Sequence, residues 1–102
     1  MKYICCICIG YLLGCLNPAF FLARIRGFDI RSRGSGNAGA SNAFLLLGKA
    51  KGGICALFDI CKAFLAVCLT RALFPGEAVI FALTAVACIL GHIFPFYMRF
   101  RG

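Results

Sequence analysis

Gly34-x-Gly36-x-x-Gly39 lies in the stretch RGSGNAGASN, residues 33–42. Its spacing is that of a dinucleotide-binding loop, and Asp59 follows about 20 residues later, where such loops place a ribose-binding acid. The context is wrong for that chemistry. A dinucleotide loop follows a hydrophobic strand inside a β-α-β unit, whereas FDIRSR precedes this one and Asp59 stands in an apolar run. What survives is anion chemistry. Glycines let successive backbone N–H groups converge on an anion, and a helix starting near Asn42 adds partial positive charge. Ser35, Asn37 and Ser41 offer side-chain donors, and Arg31 and Arg33 stand at the rim. Such a loop suits a phosphate; an ordinary Gly/Asn/Ser turn has the same composition.

Two further constellations carry polar chemistry. Asp59 and Lys62 are three apart on one helical face, where their side chains can meet. A charge within an apolar helix is costly when unpaired, so the two form a neutralising pair, or one of them reaches the polar loop and organises a site. His92, in GHIFPFY, is the one histidine. An imidazole there can act as general base, as donor to a phosphate, or as a hydrogen-bonded structural group. The eight cysteines all fall in apolar stretches, without C-x-x-C or zinc-finger spacing. They read as small hydrophobes, with no disulfide, no metal and no cofactor expected.

These groups need elements to hold them, and the elements are membrane spans. Of the 102 residues, 63% are hydrophobic, and the mean hydropathy is +0.96. Residues 3–23 carry no charge, residues 52–70 carry only Asp59 and Lys62, and residues 78–98 carry one histidine. A helix needs about 20 apolar residues to cross the ~30 Å hydrocarbon layer. The expected fold class is all-α: a polytopic transmembrane protein with three spans and a Gly-rich cytoplasmic loop between spans one and two. It forms a single membrane domain over residues 1–102, with spans at about 3–24, 52–72 and 78–97 and the loop at 24–51.

Arg24, Arg26, Arg31, Arg33, Lys49 and Lys51 crowd the first loop, against Arg71 and Glu77 in the second. Short basic loops stay cytoplasmic, so the N-terminus is expected outside. The net charge of +8 sits mostly at membrane boundaries and reads as contact with anionic headgroups, with no nucleic acid expected. Leu12-Leu13-Gly14-Cys15 imitates a lipoprotein cleavage box, but the apolar chain beyond it argues against cleavage. Gly10 and Gly14 fit better as a face for close helix approach. Asn17-Pro18 can kink span one. Ser41 or Asn42 can cap a short helix over residues 43–47, closed by Gly48.

The order GYLLG, FDIRSRGSGNAGASNAFLLLGKAKG, FDICKAFLAV and LGHIFPFYMRFRG resembles the bacterial acyl-phosphate:glycerol-3-phosphate acyltransferases over nearly the whole chain. That resemblance implies a multi-pass enzyme of the bacterial inner membrane. It would transfer a fatty acyl group from acyl phosphate to the 1-hydroxyl of glycerol 3-phosphate, giving lysophosphatidic acid. The family motif G-S-G-N-x-G-A-T-N matches Gly34, Ser35, Gly36, Asn37, Gly39, Ala40 and Asn42, with Ser41 for Thr. The resemblance makes Ser35 and His92 the catalytic candidates, and Gly34, Gly36, Asn37, Gly39, Ser41 and Asn42 substrate-binding. A second motif, G-H-x-F-P running into F-K-G-G-K-G, matches Gly91, His92, Phe94 and Pro95. Phe100, Arg101 and Gly102 match its next positions with Arg for Lys, adding Arg101 and Gly102 to the substrate-binding candidates.

There are two departures. Leu45 stands where the family has an Arg, removing a cation for a substrate phosphate. Gly102 also falls part-way through the second motif, before a third motif that supplies His and Asn. The expectation is therefore the N-terminal part of a longer acyltransferase, inactive alone and matched by a complementing C-terminal half. The other class considered is a small multispan transporter or membrane-interaction subunit. That class more naturally shows four spans and an embedded carboxylate with no lysine nearby.

Overall fold

Asn17-Pro18 splits the first apolar stretch into two helices. Pro18 lacks the N–H that would continue the helix, so α1 (Lys2–Gly14) stops and α2 (Pro18–Ile25) begins with proline in its first turn. The Asn17 side chain caps α2, accepting the Phe20 N–H at 3.1 Å. The structure, a computed structural model, describes residues 1–101. Every regular element among these residues is helical: after α2 come a short 3-10 turn at Ile30–Ser32, α3 (Ala40–Leu47), α4 (Lys49–Leu73), α5 (Ala78–Ile93) and a 3-10 turn at Phe96–Met98. The stretches Lys2–Ile25, Lys49–Leu73 and Ala78–Met98 are each long and apolar enough to cross a membrane. Leu12, Leu57, Ile60, Phe64, Val79, Phe81 and Ile89 are exposed on them, the side-chain chemistry of a lipid-facing surface.

The chain forms two compact units. One comprises residues 1–16 and 61–101; the other comprises residues 17–60. In the first, α1 and α5 run parallel with their backbones nearly touching. A Cβ on Gly14 would strike the Cys88 carbonyl, and one on Gly91 the Tyr11 carbonyl. Small residues permit this approach, and close van der Waals contact is what holds helices together where lipid is as apolar as leucine. Lys2 and Glu77 pair at one end, and the Tyr11 hydroxyl donates to the Phe94 carbonyl at 2.7 Å toward the other. Between α4 and α5 the buried Thr84 hydroxyl donates to that of Thr70 at 3.0 Å, and Thr70 donates back to the Ala66 carbonyl.

In the second unit α2, the 3-10 turn and α3 pack against one another. Gly48, at φ +97°, ends α3 and lets α4 start one residue later. Phe44 of α3 packs onto Gly52 so closely that a Cβ there would sit 2.5 Å from its ring.

Candidate functional site

A single buried carboxamide shapes the glycine-rich loop. Asn42, 2% exposed, accepts the Ser35 backbone N–H on Oδ1 at 3.1 Å. Its Nδ2 donates to the carbonyls of Ile30, Arg33 and Asn37 at 3.0, 3.1 and 2.9 Å. One side chain thus satisfies backbone groups on both arms of the loop, groups that cannot be left unpaired when buried. Asn17 adds a second tie, donating to the Ala38 carbonyl at 2.7 Å. Two glycines permit the path: Gly34 and Gly36 have φ of +59° and +79°. At Gly34 a Cβ would also collide with Asn42 Oδ1.

The start of α3 differs from the expected one, and α4 starts at Lys49, ahead of the expected residue 52. Helix α3 begins at Ala40, earlier than residue 43, because extended Gly39 takes the N-cap position. Asn42 therefore lies inside the first turn, and its side chain turns back into the loop instead of capping. No side chain caps α3. Ser35, Gly36, Asn37 and Ser41 remain exposed. The result is a rim of hydroxyls and amides beside the start of α3.

The arginines at this rim differ. The Arg31 guanidinium donates to Asp29 at 2.7 Å and lies 5.5 Å from the centre of the Phe20 ring. Asp29 in turn caps the 3-10 turn by accepting the Arg31 N–H at 2.9 Å. The Arg31 hydrogen bond holds the Asp29 carboxyl below its ordinary range, and Asp29 raises Arg31 in return. Arg33 is exposed and stacks over Phe28 at 4.3 Å.

His92 belongs to the other unit, on the last turn of α5, half-buried. Its Nδ1 is 2.9 Å from the ammonium of Lys62, which also donates to the carbonyls of Gly14 and Leu16 at 3.0 and 2.7 Å. After Pro95 the chain folds into a tight turn, with Arg99 and Phe100 at positive φ and the Phe100 N–H bonded to the Pro95 carbonyl. Arg101 is exposed just beyond it, and Gly102 lies outside the described residues. The structure thus gathers Gly34, Ser35, Asn37 and Asn42 in one unit and joins His92 to Lys62 in the other. The roles of Asn17 and Lys62 were not apparent from residue type. Pro18, which strips a helix of a donor, was the available signal.

A family described as glycerol-3-phosphate acyltransferase matches residues 4–102. The chain belongs to that family. It is similar to glycerol-3-phosphate acyltransferase 2 of Thermotoga maritima, at 43% identity over 92% of this chain and 48% of the relative. It is also similar to glycerol-3-phosphate acyltransferase 1 of Deinococcus radiodurans, at 47% identity over 92% and 47%. The crystal structure of PlsY (YgiH), an integral membrane glycerol 3-phosphate acyltransferase in its glycerol 3-phosphate form, superposes with a TM-score of 0.89. The two are 30% identical, and the match covers 100% of this chain and 51% of that one. The chain spans about half the length of the curated relatives it matches. As a member of the glycerol-3-phosphate acyltransferase family, with three apolar spans, it is a multi-pass membrane protein.

Proposed function

We propose that this chain supplies the N-terminal half of the active site of an acyltransferase that makes lysophosphatidic acid. The 1-hydroxyl of glycerol 3-phosphate attacks the carbonyl of an acyl phosphate. The new ester C–O bond forms, the acyl C–O bond to phosphate breaks, and inorganic phosphate leaves with release of the hydroxyl proton. Both substrates are anions, so the site must present donors at the membrane surface, with the acyl chain in lipid.

The carrying observation is the loop held open by Asn42 in a chain whose family match runs over residues 4–102. In this reading Gly34, Gly36, Asn37, Gly39 and Ser41 bind the phosphate, and Ser35 and His92 are the catalytic candidates. Asn42 acts by holding the loop. Arg101 and Gly102 begin a second phosphate-binding segment that a complementing C-terminal half completes. The loop faces the cytoplasm of a bacterial inner membrane with the N-terminus outside, as the basic residues of the first loop favour.

The test is a chimera of residues 1–102 fused to the second half of the Thermotoga maritima relative, reconstituted in vesicles. Phosphate release from acyl phosphate should require glycerol 3-phosphate and should fall to background without residues 1–102. A correctly inserted chimera with no release would overturn the reading.

A further inference from the structure

Lys62 is a buried charge, 5% exposed, to which the acyl-transfer scheme gives no part. Helix bookkeeping explains why it is there. In an unbroken helix the Gly14 carbonyl would accept from residue 18, but Pro18 has no N–H. The Leu16 carbonyl would accept from residue 20, but the Phe20 N–H is taken by the Asn17 side chain. The break between α1 and α2 therefore leaves two carbonyls open within an apolar span, where an unsatisfied carbonyl is costly. Lys62 donates to both of them. The Cys15 carbonyl between them accepts the Tyr97 hydroxyl.

An ammonium has three N–H donors and no lone pair. With two donors anchored on Gly14 and Leu16, the third meets His92 Nδ1 at 2.9 Å. The nitrogen facing an ammonium must be the acceptor, so Nδ1 carries no proton and the neutral ring bears its proton on Nε2. We propose that Lys62 is a positioning residue: anchored on the two carbonyls opened by Asn17-Pro18, it holds His92 as the Nε2–H tautomer. The imidazole then presents a hydrogen-bond donor to an anionic oxygen of the phosphate or of the developing oxyanion. It does not serve as the general base, because its unprotonated nitrogen is occupied by Lys62. Only the identity of the anion rests on the acyltransferase reading; the tautomer does not.

His92 is the one histidine of the chain, so nitrogen-15 histidine labelling of the full chain in micelles reports a single imidazole. Proton–nitrogen correlations should show Nε2 protonated and Nδ1 as acceptor. Lys62→Met should give a mixture of tautomers, while Lys62→Arg, which keeps the donors, should retain Nε2–H. A protonated Nδ1 in the parent chain, or an unchanged spectrum in Lys62→Met, would overturn the proposal. If Lys62→Met does not fold, the parent spectrum alone decides. In the chimera, Lys62→Met should lower kcat more than it changes KM, by up to the roughly 10²–10³-fold lost with an oxyanion donor. An inactive chimera whose imidazole is Nε2–H defeats the acyltransferase reading and supports the positioning role. An active chimera with mixed tautomers defeats the positioning role alone.

Discussion

The side-chain oxygen of Asn42 accepts the backbone N–H of Ser35 at 3.1 Å, while its amide nitrogen holds three carbonyls of the same loop. Asn42→Asp keeps the acceptor and removes the donors, so three carbonyls would face a carboxylate. Leaving buried backbone groups unsatisfied costs about 1–3 kcal/mol each. The expected outcome is faster proteolysis within residues 33–39 and a raised KM for glycerol 3-phosphate in the chimera. Unchanged cleavage would show that the loop stands without this hub.

Gly34 and Gly36 separate strain from collision. Both have positive φ, which costs a residue bearing a Cβ roughly 1–2 kcal/mol. Only at Gly34 would the added carbon strike Asn42 Oδ1; at Gly36 the nearest atom is the Arg31 carbonyl, at 3.5 Å. Gly34→Ala should therefore raise the KM for glycerol 3-phosphate more than Gly36→Ala does. Steady-state kinetics of the two variants give the order, and the reverse order would contradict the loop geometry.

Helix approach gives a second pair of glycines to compare. Gly91→Ala would drive a methyl into the Tyr11 carbonyl, and overpacking costs about 1–3 kcal/mol. Gly53 on α4 has nothing within 4 Å of an added Cβ, so Gly53→Ala should gain up to about 1 kcal/mol of helix propensity. Thermal unfolding in detergent should place Gly91→Ala below the parent and Gly53→Ala at or above it.

Much of this architecture was readable from residue types. The three charge-poor runs became the three spans, and Asn17-Pro18 became the break between α1 and α2. Gly10 and Gly14 read as a face for close helix approach, and their would-be Cβ atoms meet α5 backbone. The start of α3 was not readable: Ser41 and Asn42 are both good caps, and only the loop's path shows that Gly39 takes that place. Nor was the contact between Lys62 and His92 readable. It depends on how α4 and α5 pack, and Lys62 read as a partner of Asp59, its near neighbour on the same helix.

The Asp29–Arg31 pair predicts a pH dependence. Asp29 has its carboxyl lowered on folding, chiefly by the Arg31 hydrogen bond. A lowered folded value means that its contribution is present above the ordinary aspartate range, about 3.9, and is lost as pH falls through the folded value. Amide protection of Arg31 should hold at neutral pH and fall off in acid below that range. Asn at position 29 should abolish the acid step, and an acid step that survives Asp29→Asn would assign it to another group.

The proposed orientation rests on the basic residues of the first loop. On a cysteine-free background, Arg33→Cys should react with a membrane-impermeant thiol reagent only from the cytoplasmic side, and Pro75→Cys only from the outer side. The opposite pattern would put the glycine-rich loop outside.

If residues 1–102 help to build an acyl-transfer site, its product must appear in the lipid. The direct measurement is mass spectrometry of lipid extracted from vesicles holding the chimera, supplied with acyl phosphate and isotope-labelled glycerol 3-phosphate. Labelled lysophosphatidic acid, acylated at the 1-position, should accumulate in the parent chimera. It should drop by roughly 10²-fold or more when Ser35→Ala removes a donor at the reacting groups. Labelled product at the parent rate in Ser35→Ala, or none from a folded and inserted parent, would contradict the account.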